Sequence, residues 1–310
     1  MKLAVGKICV VLLAAAALHA ETFYVTVAGL GGEPEYEQRF TGWAKDLDKL
    51  IKTAEPSAKV VTMIGPGATR GLLEKELREI ARSAKADDSL VLMLIGHGTF
   101  DESDYKFNLL GPDMSGSELA GLLDKIAAKQ VIVNMTSASG GSLLALGKPK
   151  RVVISATKTG TERNATVFAR YWIEALRDPA ADAYKNEIVT ALEAFKYAEQ
   201  KTRSFFETQN RLATEHALLD DSGKGEGVKD PSEKNGQGLV AGRFAVVHLG
   251  KMTAEINDPA KRALLKKKEE LEQQIDELKY RKASMALPEY RKRLAQYLTE
   301  LAEVQGELDK

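Results

Sequence analysis

Cysteine is almost absent from the sequence. The only Cys among the 310 residues is Cys9. It lies in an N-terminal segment with the pattern of a secretory signal, in which two lysines precede an apolar run from Ile8 to Leu18 and the small residue Ala20 follows. We predict that residues 1–20 are a signal peptide that is removed. The mature chain then has no thiol, which excludes a disulfide scaffold and a cysteine nucleophile.

An excess of charge and a second long apolar run are also absent. Lys and Arg number 44, and Asp and Glu number 44, so the formal net charge is zero. Because no basic surplus attracts phosphate backbones, we expect no nucleic-acid partner. No later segment approaches the roughly 20 apolar residues of a membrane span. We therefore expect no membrane span, and a periplasmic or secreted location.

Short β-rich runs alternate with helical stretches from Thr22 onward, which indicates an α/β fold. The runs lack strict polar–apolar alternation, as is typical of parallel strands buried on both faces. We predict a mostly parallel sheet between layers of helices. The predicted strands are 23–28, 59–64, 89–95, 130–135 and 151–156, and the predicted helices lie near 40–53, 70–85, 116–128, 141–147 and 162–177.

The pattern changes after residue 186. A long helical stretch is predicted from Glu187 to Leu219, followed by a polar loop from Asp220 to Gly238. The β-like run from Leu239 to Leu249 is predicted to return to the sheet as a late strand. We therefore expect one globular domain over residues 21–251.

Residues 257–310 are predicted to form a helical hairpin that resembles a coiled coil. Pro288 separates two apolar stripes and fits the first turn of a new helix. Such a hairpin buries little by itself, so we expect it to pack on the domain or on a partner. Self-association through these helices and a solvated appendage are open alternatives. The stripes consist of Leu264, Leu271, Ile275 and Leu278, and of Leu294, Leu298, Leu301 and Leu308.

Two of the predicted strands end in residues that are suited to chemistry. His97 stands between two glycines at the end of one strand, and the segment Ser137-Ala138-Ser139-Gly140 begins 40 residues after it, at the end of another. In open α/β sheets, ligands bind at the carboxyl ends of the strands. A histidine can act there as an acid or a base near neutral pH. We therefore predict the functional site at these two strand ends.

The two motifs resemble those of the caspase/legumain superfamily of cysteine peptidases, clan CD with its C13-type and C14-type members. In that superfamily a His-Gly pair precedes Cys-x-Ser-Gly by a similar spacing. The resemblance covers residues 22–249. It implies a caspase-like fold, with His97 as the catalytic histidine, Ser137 at the nucleophile position and the Gly98 N–H as a donor to the oxyanion.

Serine in place of the cysteine is the main departure from that pattern. A thiol is partly ionised at pH 7, whereas a serine hydroxyl needs a hydrogen-bonded base that a third group holds in place. The spacing identifies no acidic partner for His97. We therefore predict a secreted pseudopeptidase that binds a peptide or protein segment in its cleft. Two alternatives stay open: a peptide hydrolase that uses Ser137 with His97, and a structural, envelope-associated protein that interacts through the hairpin.

The same resemblance implies that the loops at residues 29–36 and 157–163 frame the primary specificity pocket. Three carboxylates in these loops favour a Lys or Arg side chain through charge pairing. Neutralisation by neighbouring basic residues and ordinary solvated loop charges are the alternatives. The candidate substrate-binding residues are Glu33, Glu35, Thr157 and Glu162.

One segment partly matches a 12-residue calcium-binding loop. Tyr184 and Glu187 depart from the pattern at its third and sixth positions. A loop that leads into a helix is the alternative, and we expect no other cofactor. The candidate calcium ligands are Asp182, Asn186, Thr190 and Glu193.

Overall fold

A computed structural model of the chain describes residues 20–251 and 259–309. All but the last residue of the predicted signal peptide lies outside this range. The strands are, in chain order, β1 (Thr22–Ala28), β2 (Lys59–Met63), β3 (Ser89–Ile95), β4 (Gly98–Phe100), β5 (Tyr105–Phe107), β6 (Met114–Ser115), β7 (Lys129–Asn134), β8 (Arg151–Ser155), β9 (Ile188–Thr190), β10 (Leu218–Asp220) and β11 (Ala245–His248).

The helices of the described residues lie between these strands and after them. No helix in the described part of the chain is long and apolar enough to cross a membrane. The α-helices are α1 (Pro34–Ala54), α2 (Arg70–Ser83), α3 (Gly116–Leu123), α4 (Leu143–Leu146), α5 (Phe168–Ala175), α6 (Ala191–Thr208), α7 (Pro259–Tyr280) and α8 (Leu287–Leu308).

The central sheet has six strands in the order β10-β8-β7-β3-β1-β2. All neighbouring pairs are parallel except β10, which runs antiparallel to β8. The predicted α/β class with a mostly parallel sheet is confirmed. The five predicted strands match β1, β2, β3, β7 and β8 to within one residue at each end.

Burial on both faces of the sheet explains why these strands lack polar–apolar alternation. In β3, Leu90, Leu92 and Leu94 join an apolar cluster with residues of α2, α3 and α4. The alternate residues Val91 and Met93 join a second cluster, with residues of α1, α5 and α6. Successive side chains of a strand point to opposite faces, so each face of the sheet has its own helical layer.

The prediction for residues 187–249 is wrong in two respects. The long helix is only α6, because Thr190 caps its N-terminus in a reciprocal hydrogen-bonded pair with Glu193. In sequence, strand β9 precedes this helix and strand β10 follows it. The late strand is only Ala245–His248, and it pairs with β9 in a separate two-stranded sheet. It does not return to the central sheet, whose edge beside β8 is taken by β10.

The C-terminal helices α7 and α8 pack against each other as a hairpin. Leu271 and Ile275 of α7 form an apolar cluster with Leu301 of α8. The Nζ of Lys268 donates to Gln305 Oε1 over 2.8 Å, so the first half of α7 lies beside the end of α8. Two antiparallel helices result, and a proline stands in the first turn of the second, as predicted.

Buried charges attach the hairpin to helices α1 and α5. The Nε of Arg170 lies 2.7 Å from Glu272 Oε2, and both side chains are almost fully buried. Trp43 Nε1 donates to the other oxygen of Glu272 over 3.1 Å. Asp276 lies 2.8 Å from Arg39 and 3.0 Å from Arg170. The hairpin is thereby held on the face of the domain that α1 and α5 cover.

Substitution of Glu272 tests this attachment. We expect Glu272→Ala to lower the free energy of unfolding by about 3 kcal/mol, because Arg170 loses one of its buried carboxylates and the Trp43 N–H loses its acceptor. Urea unfolding followed by tryptophan fluorescence measures this loss. The control is Glu270→Ala, at an exposed position of the same helix, which should change stability by less than about 0.5 kcal/mol. Equal effects of the two substitutions would contradict the attachment.

Candidate active site

The parallel pairing of β3 and β7 brings the two predicted motifs together. Leu94 of β3 is in register with Asn134 of β7, so the segments after both strands emerge at the same edge of the sheet. The hydroxyl of Ser137 accepts a hydrogen bond from the Gly98 N–H over 3.0 Å and donates one to the Gly98 C=O over 3.1 Å. Ser137 is only 2% exposed. The predicted nucleophile position and the predicted oxyanion donor are therefore direct partners.

Glycine is required at position 98 by this close approach. A Cβ atom there would lie 2.4 Å from the Tyr105 ring and 2.6 Å from the Ser137 carbonyl oxygen. Such distances do not occur between real Cβ atoms and their neighbours, and neither of these groups can move away easily. Only glycine, which has no Cβ atom, therefore lets the peptide group of residue 98 reach the Ser137 hydroxyl.

The turn after Ser137 adopts a conformation that is rare outside glycine. Ala138 has φ +56° and ψ +11°, in the left-handed region, and its N–H donates to the Glu162 carbonyl oxygen over 2.8 Å. Non-glycine residues in this region cost about 1–3 kcal/mol and tend to cluster at functional sites. This strained backbone lies directly after Ser137, the predicted nucleophile position.

A buried network of hydroxyl groups supports the same turn. Tyr105 OH lies 2.6 Å from Thr136 Oγ1, which donates to Asn134 Oδ1 over 2.8 Å. Asn134 Nδ2 in turn donates to Ser142 Oγ over 3.0 Å. Thr157, one of the candidate substrate-binding residues, accepts a hydrogen bond from the Gly140 N–H over 2.9 Å and is fully buried. The Thr157 hydroxyl thereby fixes the turn that contains Gly140.

The His97 ring packs against aromatic side chains of α1. Its centroid lies 4.8 Å from that of Tyr36 and 5.2 Å from that of Phe40, in edge-on geometry. Burial lowers the pKa of His97 below 6.5, against the opposing effect of a hydrogen bond with the Gly31 backbone. The imidazole is therefore mainly neutral at pH 7. Among the hydrogen bonds of the described residues, none joins the His97 ring to Ser137.

The predicted carboxylates of the specificity pocket have partners within the chain. The Glu35 side chain is buried and lies 3.4 Å from Lys279 Nζ of the hairpin. Glu162 accepts hydrogen bonds from the Lys158 N–H over 2.7 Å and pairs with His216. Glu33 is exposed at the residue before α1. Two of these three carboxylates therefore hold the loops in place, and a preference for basic side chains stays a prediction.

The candidate calcium ligands are engaged in local hydrogen bonds. Asp182 accepts the backbone N–H groups of Asn186 and Glu187, at 3.2 and 2.9 Å. Glu193 forms the capping pair with Thr190 and also accepts the Ala183 N–H over 3.0 Å. No group of three or more His, Cys, Asp or Glu side chains is arranged to hold a metal ion anywhere in the described ranges. Calcium binding at this segment stays an untested prediction.

A cavity of about 290 Å³ opens beside Tyr36, and sequence reasoning did not find it. Its walls come from four distant parts of the chain: the start of α1, the loop after β8, the end of α6 and the hairpin. No local motif could reveal such a site, because only tertiary packing brings the hairpin next to α1 and the loop after β8. The lining residues include Tyr36, Arg39, Asn164, Phe205, Phe206, Arg211, Asp276 and Lys279.

Glu215 is a buried carboxyl group that the sequence pattern also left unmarked. It accepts the Val167 N–H over 2.8 Å and the Phe168 N–H over 3.3 Å, at the start of α5. Burial raises the pKa of Glu215 to about 8, although these two hydrogen bonds oppose the shift. The residue thus fixes the end of the loop that borders the cavity.

No protein-family model matches the chain, and no curated protein is similar to it in sequence. Solved structures with a similar chain trace include a structural-genomics target from Geobacter sulfurreducens, at 15% identity and TM-score 0.42 over 59% of this chain and 88% of that one. Caspase-1 from Spodoptera frugiperda is similar at 11% identity and TM-score 0.43, over 66% and 87% of the two chains. A secreted C11 cysteine protease from Bacteroides thetaiotaomicron is similar at 11% identity and TM-score 0.41, over 66% of each chain. Such likeness concerns the fold alone.

Removal of the Ser137 hydroxyl tests its bonds to Gly98. We expect Ser137→Ala to lower the free energy of unfolding by about 1–3 kcal/mol, because a buried N–H and a buried C=O lose their partner. Urea denaturation measures the change. In the control, Ser83→Ala, the hydroxyl is exposed at the end of α2, and a change below about 0.5 kcal/mol is expected. An unchanged stability of the Ser137 variant would contradict the two hydrogen bonds.

The raised pKa of Glu215 predicts a pH dependence. The unfolded chain loses the Glu215 proton near the ordinary value of 4.5, whereas the folded chain keeps it up to about pH 8. Stability should therefore fall as pH rises across this window, relative to a Glu215→Gln variant that cannot ionise. Unfolding free energies of both proteins, measured from pH 4 to pH 9, give the difference. A difference that does not vary with pH would show that Glu215 is ionised in the folded protein.

Proposed function

We propose that this chain is a secreted protein with a caspase-like peptidase fold that binds peptide or protein segments without cleaving them. The observation that carries the proposal is the pair of hydrogen bonds between the Ser137 hydroxyl and the Gly98 peptide group. A serine nucleophile must give its proton to a base. The oxyanion that forms on the attacked carbonyl needs free backbone donors. At this site the hydroxyl proton goes to a carbonyl oxygen, and the Gly98 N–H already has an acceptor.

The position of His97 supports the same conclusion. The ring packs edge-on against Tyr36 and Phe40 and bonds to the Gly31 backbone. A serine-based triad also needs a third group that orients the base. In the described structure a backbone group, and no carboxylate, bonds to the imidazole. His97 is thereby suited to shape the cleft and to contact a bound segment.

The loops around His97 can form a cleft for an extended segment. Gly31 belongs to the loop after β1, and Asn164 belongs to the loop after β8. The loop after β8 borders the space beside Tyr36, where Asn164 is exposed, and the Gly31 backbone bonds to the His97 ring. Protein clefts with a few polar groups and aromatic walls are the usual binding sites for small ligands and peptide side chains. We therefore assign peptide binding to this cleft.

A peptide hydrolase is the second candidate, and the neutral imidazole of His97 favours it. A neutral ring can accept a proton, and hydrogen bonds at active sites often tighten only when a substrate is bound. In this case a ligand would have to pull the Ser137 hydroxyl away from Gly98. The third reading, an interaction protein that acts through the hairpin, has less support, because α7 uses its buried charges to attach to its own domain.

Labelling with a fluorophosphonate probe distinguishes binding from hydrolysis. We expect the purified protein to leave Ser137 unlabelled and to turn over no member of a mixed peptide library, while an active serine peptidase in the same assay is labelled. Labelling or turnover that disappears in Ser137→Ala would overturn the proposal in favour of the hydrolase.

Binding is tested separately with a fluorescent pool of random peptides. We expect Asn164→Trp, which fills the cleft with a bulky side chain, to weaken binding by about tenfold or more. The control Gln296→Trp places the same side chain at an exposed position of α8 and should bind as the wild type does. No measurable binding to the wild-type protein would contradict the proposal.

A further inference from the structure

The tip of the C-terminal hairpin, residues 281–293, is almost entirely exposed. It consists of the turn after α7 and the first two turns of α8. Tyr290 is its one buried residue, at 4% exposure, and Met285 is half-buried. The buried charges that attach α7 to the domain lie outside the tip. The exposed charged residues of the tip are Arg281, Lys282, Glu289, Arg291, Lys292 and Arg293.

Positive charge is concentrated in this tip. Five cationic side chains stand against one carboxylate there, although the whole chain has 44 of each kind. The carboxylate of Glu289 pairs with Arg293 over 2.6 Å. Like charges in so short a segment repel one another, so the tip favours an anionic partner. The cations that form no ion pair with any described residue are Arg281, Lys282, Arg291 and Lys292.

The opposite end of the hairpin does not share this excess. There the end of α8 lies beside the first half of α7. Lys266 lies 4.0 Å from Glu270 of the same helix, and Glu303 and Glu307 are exposed on α8. Acidic and basic side chains are therefore mixed at that end. The two ends of the hairpin differ in charge, and the strongly cationic end is the tip.

Apolar side chains are exposed at the same tip. Leu287, the first residue of α8, is 52% exposed, and Ala286 and Pro288 on either side of it are exposed as well. Cations around exposed apolar residues are typical of segments that lie in the headgroup layer of a bilayer. A soluble polyanion would contact the cations and leave Leu287 in water. The combination therefore favours an anionic lipid surface.

Hydrogen bonds give the tip a defined shape. The backbone N–H of Ser284 donates to the Arg281 carbonyl oxygen over 3.0 Å, and the Ser284 hydroxyl donates to the same oxygen over 2.9 Å. The Nζ of Lys282 lies 5.4 Å from the centroid of the buried Tyr290 ring, which joins the turn to α8. Because the tip is ordered before it meets a partner, little conformational entropy is lost on binding.

We propose that the hairpin tip docks the protein on a membrane surface that contains anionic phospholipids. Leu287 enters the headgroup layer, and the four cations without an ion pair contact the lipid phosphates. The inference is independent of the proposed peptide binding, because other residues line the cavity beside Tyr36.

Sedimentation with lipid vesicles tests the proposal. The probe is a vesicle of equal parts phosphatidylcholine and phosphatidylglycerol, and a vesicle of phosphatidylcholine alone is the uncharged comparison. The protein is the mature chain, since the apolar run of the predicted signal peptide would bind lipid by itself. We expect binding to the anionic vesicle to be at least about tenfold tighter, and to weaken as salt is raised.

A pair of double variants assigns this binding to the tip. Arg281→Gln with Lys282→Gln should weaken binding to the anionic vesicle by about tenfold or more. The control, Lys266→Gln with Lys267→Gln, removes the same charge from exposed positions of α7. These positions lie roughly 20 Å further along the hairpin, beyond the Debye length of about 10 Å at 0.1 M salt. The control should therefore bind as the wild type does.

A substitution of Leu287 separates a lipid surface from a soluble polyanion. Leu287→Ser should weaken binding to the anionic vesicle by about fivefold or more, because the apolar side chain no longer enters the headgroup layer. The control is Leu144→Ser, at a leucine of the domain that is 79% exposed, and it should leave binding unchanged. All these side chains are exposed, so urea unfolding should match that of the wild type.

Three results would overturn the docking surface. They are equal binding to both vesicles, an equal loss in the two double variants, and wild-type binding by Leu287→Ser, which would make the tip a site for soluble polyanions instead. The tip variants should keep wild-type affinity in the peptide assay above. Failure of this proposal and failure of the peptide-binding function are therefore distinguishable.

Discussion

The contact between the Ser137 hydroxyl and the Gly98 peptide group is the constraint on which the proposed function depends. Adjacent parallel strands deliver the two residues to one edge of the sheet, the absent side chain at Gly98 lets them meet, and the left-handed turn at Ala138 follows directly. A hydroxyl has one proton to donate. That proton goes to the Gly98 carbonyl, so the residue at the proposed nucleophile position is bound to the peptide group proposed as the oxyanion donor.

The hairpin changes the surroundings of this site from a distance. Glu272 and Asp276 need cationic partners once they are buried, and Arg170 and Arg39 supply them on α5 and α1. The start of α1 also carries Tyr36, which packs on His97. Attachment of α7 to α1 therefore brings a helix from the end of the chain next to the first helix of the domain. The hairpin, whose sequence alone suggests an appendage, thus forms one wall of the cavity beside Tyr36.

Much of this fold could be predicted from sequence, because strands buried on both faces leave a strong apolar signal. The five parallel strands, and the placement of His97 and Ser137 at neighbouring strand ends, followed from it. The segment from 187 to 249 was predicted poorly, since the three-residue strands β9 and β10 are too short to leave a pattern beside a strong helix. Local patterns also could not show that Glu35 pairs with Lys279, because tertiary packing alone joins residues so far apart.

Hydrogen exchange at the Gly98 amide tests the central claim most directly. In the folded wild-type protein, NMR should find this amide exchanging as slowly as those in the middle of β3, because the Ser137 hydroxyl accepts its hydrogen bond. In Ser137→Ala the Gly98 amide should exchange about tenfold faster or more relative to the β3 amides, whose bonds are unaffected. Rapid exchange of the Gly98 amide in the wild-type protein would mean that the donor is free, and would contradict the account.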